Sequence, residues 1–345
     1  MLDTQSNTSI SMTALYRRLD GIGLTRSTVR NTLLPDWWCD EFEEREGAVF
    51  EAAAYIARRT GLTFRRLVDE TQELSLTQGS TIRFKKRQGT DENALAIASA
   101  IAEQAAKLAA YACQPDYQSV AGFGAQTIRA EILAKRQWVT LADLLDFCWR
   151  HGLPVVHLSK LPKGKGIKKF DGLAGIFAGR PALVTGKNHH SWAWMAFIVA
   201  HELGHIALGH VEEGRPLVDE KIDTSGNNDP QEQEADRFAL ELIYGKDEVN
   251  YMRRGFISPE DLAQFAREKA VKDNVNPASI VLNHAWRQDS QNDKTAWAIA
   301  QQAIKALEDG AESAIQLIKA YLEQGLDWDL LSDDNCEYLE KLVAP

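Results

Sequence analysis

The chain has 345 residues, 44% of them apolar and 26% charged, with a net charge of −10 at pH 7. That length allows two or three domains with a sizeable core. The negative balance excludes a protein that coats nucleic acid or an anionic membrane with its whole surface. Cys39, Cys113, Cys148 and Cys336 form no CxxC pair, which excludes a cysteine zinc finger and argues against a disulfide framework. The opening residues "MLDTQSNTSISMTAL" have neither a basic nor an apolar signal region. No stretch reaches the roughly 18 uninterrupted apolar residues of a membrane span. The expectation is a reduced, cytoplasmic protein without a membrane partner.

In chain order, residues 12–88 read as helical, with turns at "DGIGLT" and "RRTGLT". Two short helices joined at a glycine in "LYRRLDGIGLTRSTVRNTLLPDWW" are how a helix-turn-helix begins. Arg17, Arg18, Arg26 and Arg30 would then be phosphate contacts, and "RFKKRQG" (83–89) a second basic site. Against DNA binding, the acidic run "CDEFEEREG" nearly cancels the local charge, and a helical accessory region with solvated arginines is the alternative.

Residues 90–112 predict a long alanine-rich helix capped by Thr90 or Asp91, linking the first region to the next. "TLADLLDFCWRHG" (140–152) is a further helix, stopped by Gly152. "LPVVHLSKL" reads as a strand, and "GLAGIFAGRPALVTG" (172–186) as two strands around Gly179 and Arg180. Between them "SKLPKGKGIKKFDG" is a surface loop. A nearly uninterrupted apolar helix leads into "HELGHIALGH" (201–210). The connection "EEGRPLVDEKIDTSGNNDP" is polar and turn-rich, the kind of long loop that often carries function. A second helix follows over residues 230–244. The remainder is mostly amphipathic helix, its first segment capped by Ser258 with Asp261 in a capping box.

Burying His201, Glu202 and His205 in an apolar helix costs kilocalories unless something compensates. Residues i and i+4 lie about 40° apart on a helix, so His201 and His205 share a face and suit one tetrahedral zinc ion. Glu202 sits about 100° round, too far to be a ligand yet close enough to take a proton from a metal-bound water. This is the H-E-x-x-H arrangement of zinc peptidases. A chance match on a surface helix is the bland alternative, and the apolar surroundings argue against it.

A catalytic site needs a third protein ligand and an open position. His210 stands one residue short of the metzincin position, which Val211 occupies, and reads as a helix-end residue. In "DPQEQEADRFALELI" a helical wheel puts Glu232 within the apolar stripe of Ala235, Ala239, Leu242 and Ile243, and Glu234 on the wet side with Glu241. Glu232 is therefore the expected third ligand. Asp229, Pro230 and Glu232 also read as a capping box, a role compatible with ligation. Asp236, one turn on, is placed to accept the second N–H of a zinc-bound histidine. The strand "RPALVTG" is expected to pair with an extended substrate. Tyr244, His210 and His284 are candidates for an oxyanion donor, each with an ordinary structural role as the alternative.

The apolar lead into "HELGHIALGH", the "EQEADRFALELI" that follows and the upstream hairpin resemble the ImmA/IrrE family of zinc metallopeptidases. "NPASIVLNHAW" (276–286) is similar but less specific. The resemblance covers about residues 145–290. It implies a gluzincin-like fold, a third ligand from the first glutamate of an E-x-x-A-D motif (here Glu232), and cleavage of helix-turn-helix repressors.

The expected fold is α+β and predominantly helical: a zincin-like metallopeptidase core with a small β-sheet, flanked by helical N- and C-terminal regions. The expected segments are 1–90 (helical, helix-turn-helix-like), 91–144 (connector), 145–290 (peptidase) and 291–345 (helical extension). The expected function is a zinc-dependent endopeptidase acting on a specific protein such as a transcriptional repressor, using Glu202 as base. The alternative is a DNA- or protein-binding regulator whose zinc site is structural or sensing.

Overall fold

The computed structural model describes residues 10–76, 83–85, 92–162, 170–219, 229–289 and 296–344. The expected caps Thr90 and Asp91, most of "RFKKRQG" and the lysine-rich part of the loop before Phe170 lie outside the described residues.

The first region holds α1 (Met12–Asp20), α2 (Arg26–Thr28), a π turn (Val29–Leu33), α3 (Asp40–Glu43), α4 (Ala48–Thr60) and α5 (Phe64–Val68). The middle carries β1 (Arg83–Lys85), α6 (Glu92–Ala112), α7 (Ala125–Leu133), α8 (Leu141–Arg150), β2 (Val155–His157), β3 (Gly172–Phe177), β4 (Arg180–Thr185), α9 (Trp192–Ala207), β5 (Leu217–Asp219) and α10 (Pro230–Tyr244). Then come α11 (Pro259–Asp273), α12 (Pro277–Asp289), α13 (Ala296–Leu307), α14 (Ala314–Gly325) and α15 (Asp333–Val343). The fold is predominantly helical around one small mixed sheet, as expected.

The sheet runs β1-β5-β3-β4-β2. β3 and β4 form an antiparallel hairpin, β5 lies antiparallel on the other side of β3, and β1 and β2 are parallel to their neighbours. The hairpin turns at Ala178 and Gly179, one residue earlier than expected, both in the left-handed region. This is the backbone of a two-residue turn whose twist matches its strands. Glu213 holds it, accepting from the N–H groups of Ala178 at 2.7 Å and Gly179 at 3.0 Å.

β3 and β4 are buried almost throughout. Successive strand residues point to opposite faces, so both faces must be covered. The helices packed on both strands are α9 and α6. The alanine-rich α6 is thus a layer of the core, and its small side chains let it lie close to the sheet.

Two further expectations are corrected by the topology. β4 has β3 along its whole length on one side and β2 against residues 183–185 on the other, so among the described residues "RPALVTG" keeps an edge for a substrate strand over residues 180–182 alone. The polar connection after α9 is not all loop: Leu217–Asp219 leave it to join the sheet as β5.

Of the four N-terminal arginines, Arg18, Arg26 and Arg30 are engaged internally, and Arg17 is exposed. Arg18 donates to the carbonyls of Leu67 and Gln72. Arg26 and Arg30 pair with Asp40 and Glu43, which belong to the acidic run that weighed against phosphate binding. The helix pair expected there is α1 followed by a three-residue α2 that runs into the π turn.

The terminal regions also pack together. Tyr338 donates to the Arg59 carbonyl and Lys341 to that of Leu34. Buried apolar residues form one continuous cluster from Ile10 to Val343. None of the described helices is long and apolar enough to cross a membrane.

Candidate metal centre

Helix α9 begins at Ser191, whose hydroxyl accepts from Trp194 N–H. Glu308, at the end of α13, adds a second cap: its carboxylate accepts from the N–H groups of Trp192 and Ala193 and from the Ser191 hydroxyl. These bonds satisfy amide donors that every helix start leaves open. Beyond that first turn, α9 is buried on every side. Helix α10 starts from Asp229, which accepts from Gln231 N–H, with Pro230 at the first helical position, and ends at Gly245 in the left-handed conformation. The two helices cross closely at Gly204, where a β-carbon would press on the Phe238 ring at 3.1 Å.

That crossing brings the expected residues together. His201 and His205 turn Nε2 toward one another at 3.1 Å. Glu232 reaches His201 Nε2 at 3.5 Å and His205 Nε2 at 3.4 Å. The wheel placement of α10 is borne out, with Glu232 buried and Glu234 exposed. Asp236 Oδ1 accepts from His201 Nδ1–H at 2.9 Å, which leaves Nε2 bare for a metal.

Two residues join that the sequence reading did not assign here. Asp219, the last residue of β5, lies 3.6 Å from His201 Nε2 and 3.5 Å from His205 Nε2. His210, expected as a helix-end residue and a candidate oxyanion donor, instead contacts His205. Gly209 turns the chain back in the left-handed region, placing His210 Nδ1 2.9 Å from His205 Nδ1. Its Nε2 meets Glu234 Oε2 at 2.9 Å. With a metal on His205 Nε2, the tautomers follow in order: His205 Nδ1–H donates to His210, and His210 Nε2–H donates to Glu234. Among the other oxyanion candidates, Tyr244 donates to the Ser279 carbonyl, tying α10 to α12, and His284 accepts from Arg253 N–H in the loop before α11.

One ligand atom from each of His201, His205, Asp219 and Glu232 lies within 4.8 Å of all the others. Metal–ligand bonds of 2.0–2.1 Å at tetrahedral angles put donors about 3.3 Å apart. The measured spacings to the histidines, 3.1 to 3.6 Å, fit that figure. Among the described residues, both oxygens of Asp219 and one of Glu232 are buried without a hydrogen bond. Buried carboxylates in that condition need a cation, so the donor set fits a divalent metal.

The electrostatics agree. Burial, with the nearby Asp219 charge, pushes the Glu232 carboxyl up to about 7. Burial lowers His205 to about 4. His201 is raised well above its ordinary value: burial opposes this, but the carboxylates of Asp219, Asp236 and Glu232 around its ring overcome it. Burial also works against the Asp219 carboxylate, yet the two histidines hold its pKa below the ordinary value.

Glu202 is fully buried beside this cluster, neither oxygen hydrogen-bonded within the described residues. Burial, reinforced by Asp219, raises its pKa well above the usual range. It fits there because β3 passes over it at Gly172, where a β-carbon would overlap its carboxyl group.

A helix bearing H-E-x-x-H under a small mixed sheet, with a glutamate from the next helix completing the donors, defines a zincin-like metallopeptidase core of the gluzincin type. Residues 148–271 match the family model Peptidase_M78, described as the IrrE N-terminal-like domain. The chain thus carries an M78 peptidase domain of the IrrE/ImmA type, and the matched segment contains every donor named above. No curated protein and no solved structure matches the chain.

Proposed function

We propose that the protein is a zinc-dependent endopeptidase acting on a specific protein substrate, a helix-turn-helix repressor being the first to test. The carrying observation is the pairing of a four-donor metal cluster with Glu202, on the same helix as the two histidines, fully buried and without a hydrogen bond among the described residues. In this reading His201, His205 and Glu232 hold zinc, and Asp236 fixes the orientation of His201. Zinc, when bound, polarises a peptide carbonyl and makes water a nucleophile near neutral pH. Glu202 takes a proton on a carboxylate oxygen and returns it to the leaving amine; its raised pKa suits a group that must do both. The repressor class comes from the resemblance to ImmA/IrrE peptidases, and a cytoplasmic location is supported by four cysteines that are all free.

One observation favours the alternative, a regulator with a structural or sensing zinc: four protein donors can close a tetrahedral site. Glu202 weighs against it, because a structural site gains nothing from a buried carboxyl that binds no metal. The deciding experiment measures zinc content and cleavage of a candidate repressor by wild type and Glu202→Gln. The peptidase reading requires about one zinc per chain in both and cleavage by the wild type alone. Equal cleavage by the two would remove Glu202 as the base, and cleavage by neither with zinc retained would move the protein to the regulator class.

A further inference from the structure

A peptidase site must keep one metal position for water or substrate, and here a protein group stands in it. Asp219 is 1% exposed, and neither of its carboxylate oxygens has a hydrogen-bond partner among the described residues. Its distances to the two histidine Nε2 atoms match those of Glu232 to within about 0.2 Å. Both acids therefore point at the same centre from opposite elements, one from the sheet and one from α10. His201, Glu202 and His205 are likewise no more than 1% exposed, so these residues offer a peptide no accessible surface at the centre.

We infer that the structure is the latent form of the enzyme, in which Asp219 is a fourth, displaceable metal ligand occupying the position that water or substrate must take. This rests on the metallopeptidase reading and adds a regulatory state to it. The support for Asp219 is slight enough to be undone. β5 has only three residues, and Asp219 is its last, opposite Gly172 of β3 and Lys85 of β1. Among the described residues, one bond beyond the ladder, from Asp171 N–H to the Asp219 carbonyl at 2.9 Å, holds its backbone. Side chains alternate between faces along a strand, so a one-residue slip of β5 would carry the carboxylate away from the histidines. Glu232 has no such freedom, being fixed within a fifteen-residue helix packed on α9.

The test uses the full chain loaded with cobalt(II), whose visible spectrum reports the ligand set, and acetohydroxamate as the incoming ligand. Wild type should bind cobalt with a spectrum that acetohydroxamate barely changes. Asp219→Ala should still bind cobalt, and its apparent affinity for acetohydroxamate should rise about tenfold or more, as expected when a competent state of a few per cent becomes the main one. Asp219→Asn, which keeps the shape and removes the charge, should fall between the two and serves if the alanine variant does not fold. Wild-type cobalt protein that answers acetohydroxamate as readily as the variants overturns this inference alone. So does loss of cobalt from both folded variants, which would make Asp219 an indispensable ligand. A wild type that takes up no cobalt overturns the metallopeptidase reading itself, and the latent state with it.

Discussion

Gly172 and Glu202 are fitted to each other: the strand residue has no side chain at the point where the helix residue's carboxyl group lies, and any β-carbon there would overlap it. The glutamate of the H-E-x-x-H motif, the proposed base, is therefore positioned from outside its own helix. Gly172→Ala is expected to displace the Glu202 carboxylate, leave the metal donors in place, and cost about 1–3 kcal/mol of stability through overpacking. Cleavage should fall by about 10²–10⁴-fold, the usual worth of a positioned acid–base group. Zinc content and turnover measured on the same preparation check this; wild-type turnover would contradict it.

The acids of α10 should rank differently in metal affinity. Glu232→Ala removes a donor and should weaken zinc most. His210→Ala removes the partner of His205 Nδ1, a loss of about 10–100-fold for groups of this kind. Glu234→Ala should matter least, since it is exposed and acts only through His210. Chelator competition on folded variants gives the order. Retention of metal by Glu232→Ala with loss from Glu234→Ala would mean that α10 is rotated.

Metal uptake should be coupled to proton release. In the metal-free protein Glu232 is raised to about 7 and His201 is raised above its ordinary value. Both must be unprotonated to bind. Below pH 7 protons compete with the metal, and affinity climbs as pH rises through that value, flattening once both groups are bare. Isothermal titration of zinc in buffers of different ionisation enthalpy counts the protons directly. An affinity independent of pH between 6 and 8 would contradict the raised values.

Glu308→Ala should loosen the start of α9 without touching the metal. The carboxylate caps two amides and the Ser191 hydroxyl, and a lost cap costs about 1 kcal/mol, at most about 2. Thermal unfolding should shift down by about 2 °C in a chain of this size, with zinc stoichiometry unchanged.

His201, His205, Glu232 and Asp236 were legible because helical periodicity is local: positions four apart share a face whatever the rest of the chain does. Asp219 was not, since a three-residue strand carries no period, and its partners lie in β3 and β1, far away in sequence. The covered half of the β4 edge is topological in the same way, depending on where β2 returns. His210 had a usable signal, because a glycine directly after the helix end turns the chain back on its last turn. Measuring it only against the metzincin spacing hid its contact with His205. The arginines near the N-terminus were half legible, since the acidic run beside them already supplied their partners.

The cap that Glu308 places on α9 also bears on how this peptidase can be handled and inherited. Residues 148–271 match the family model, yet the helix holding both histidines is closed by a carboxylate beyond that segment, and its sheet is completed by β1 and covered by α6 from before it. A fragment cut to the matched bounds would expose bare strand edges and apolar faces, the features that drive aggregation. The catalytic unit is not portable: it cannot be trimmed to its motif or shuffled into another protein without taking its neighbours along.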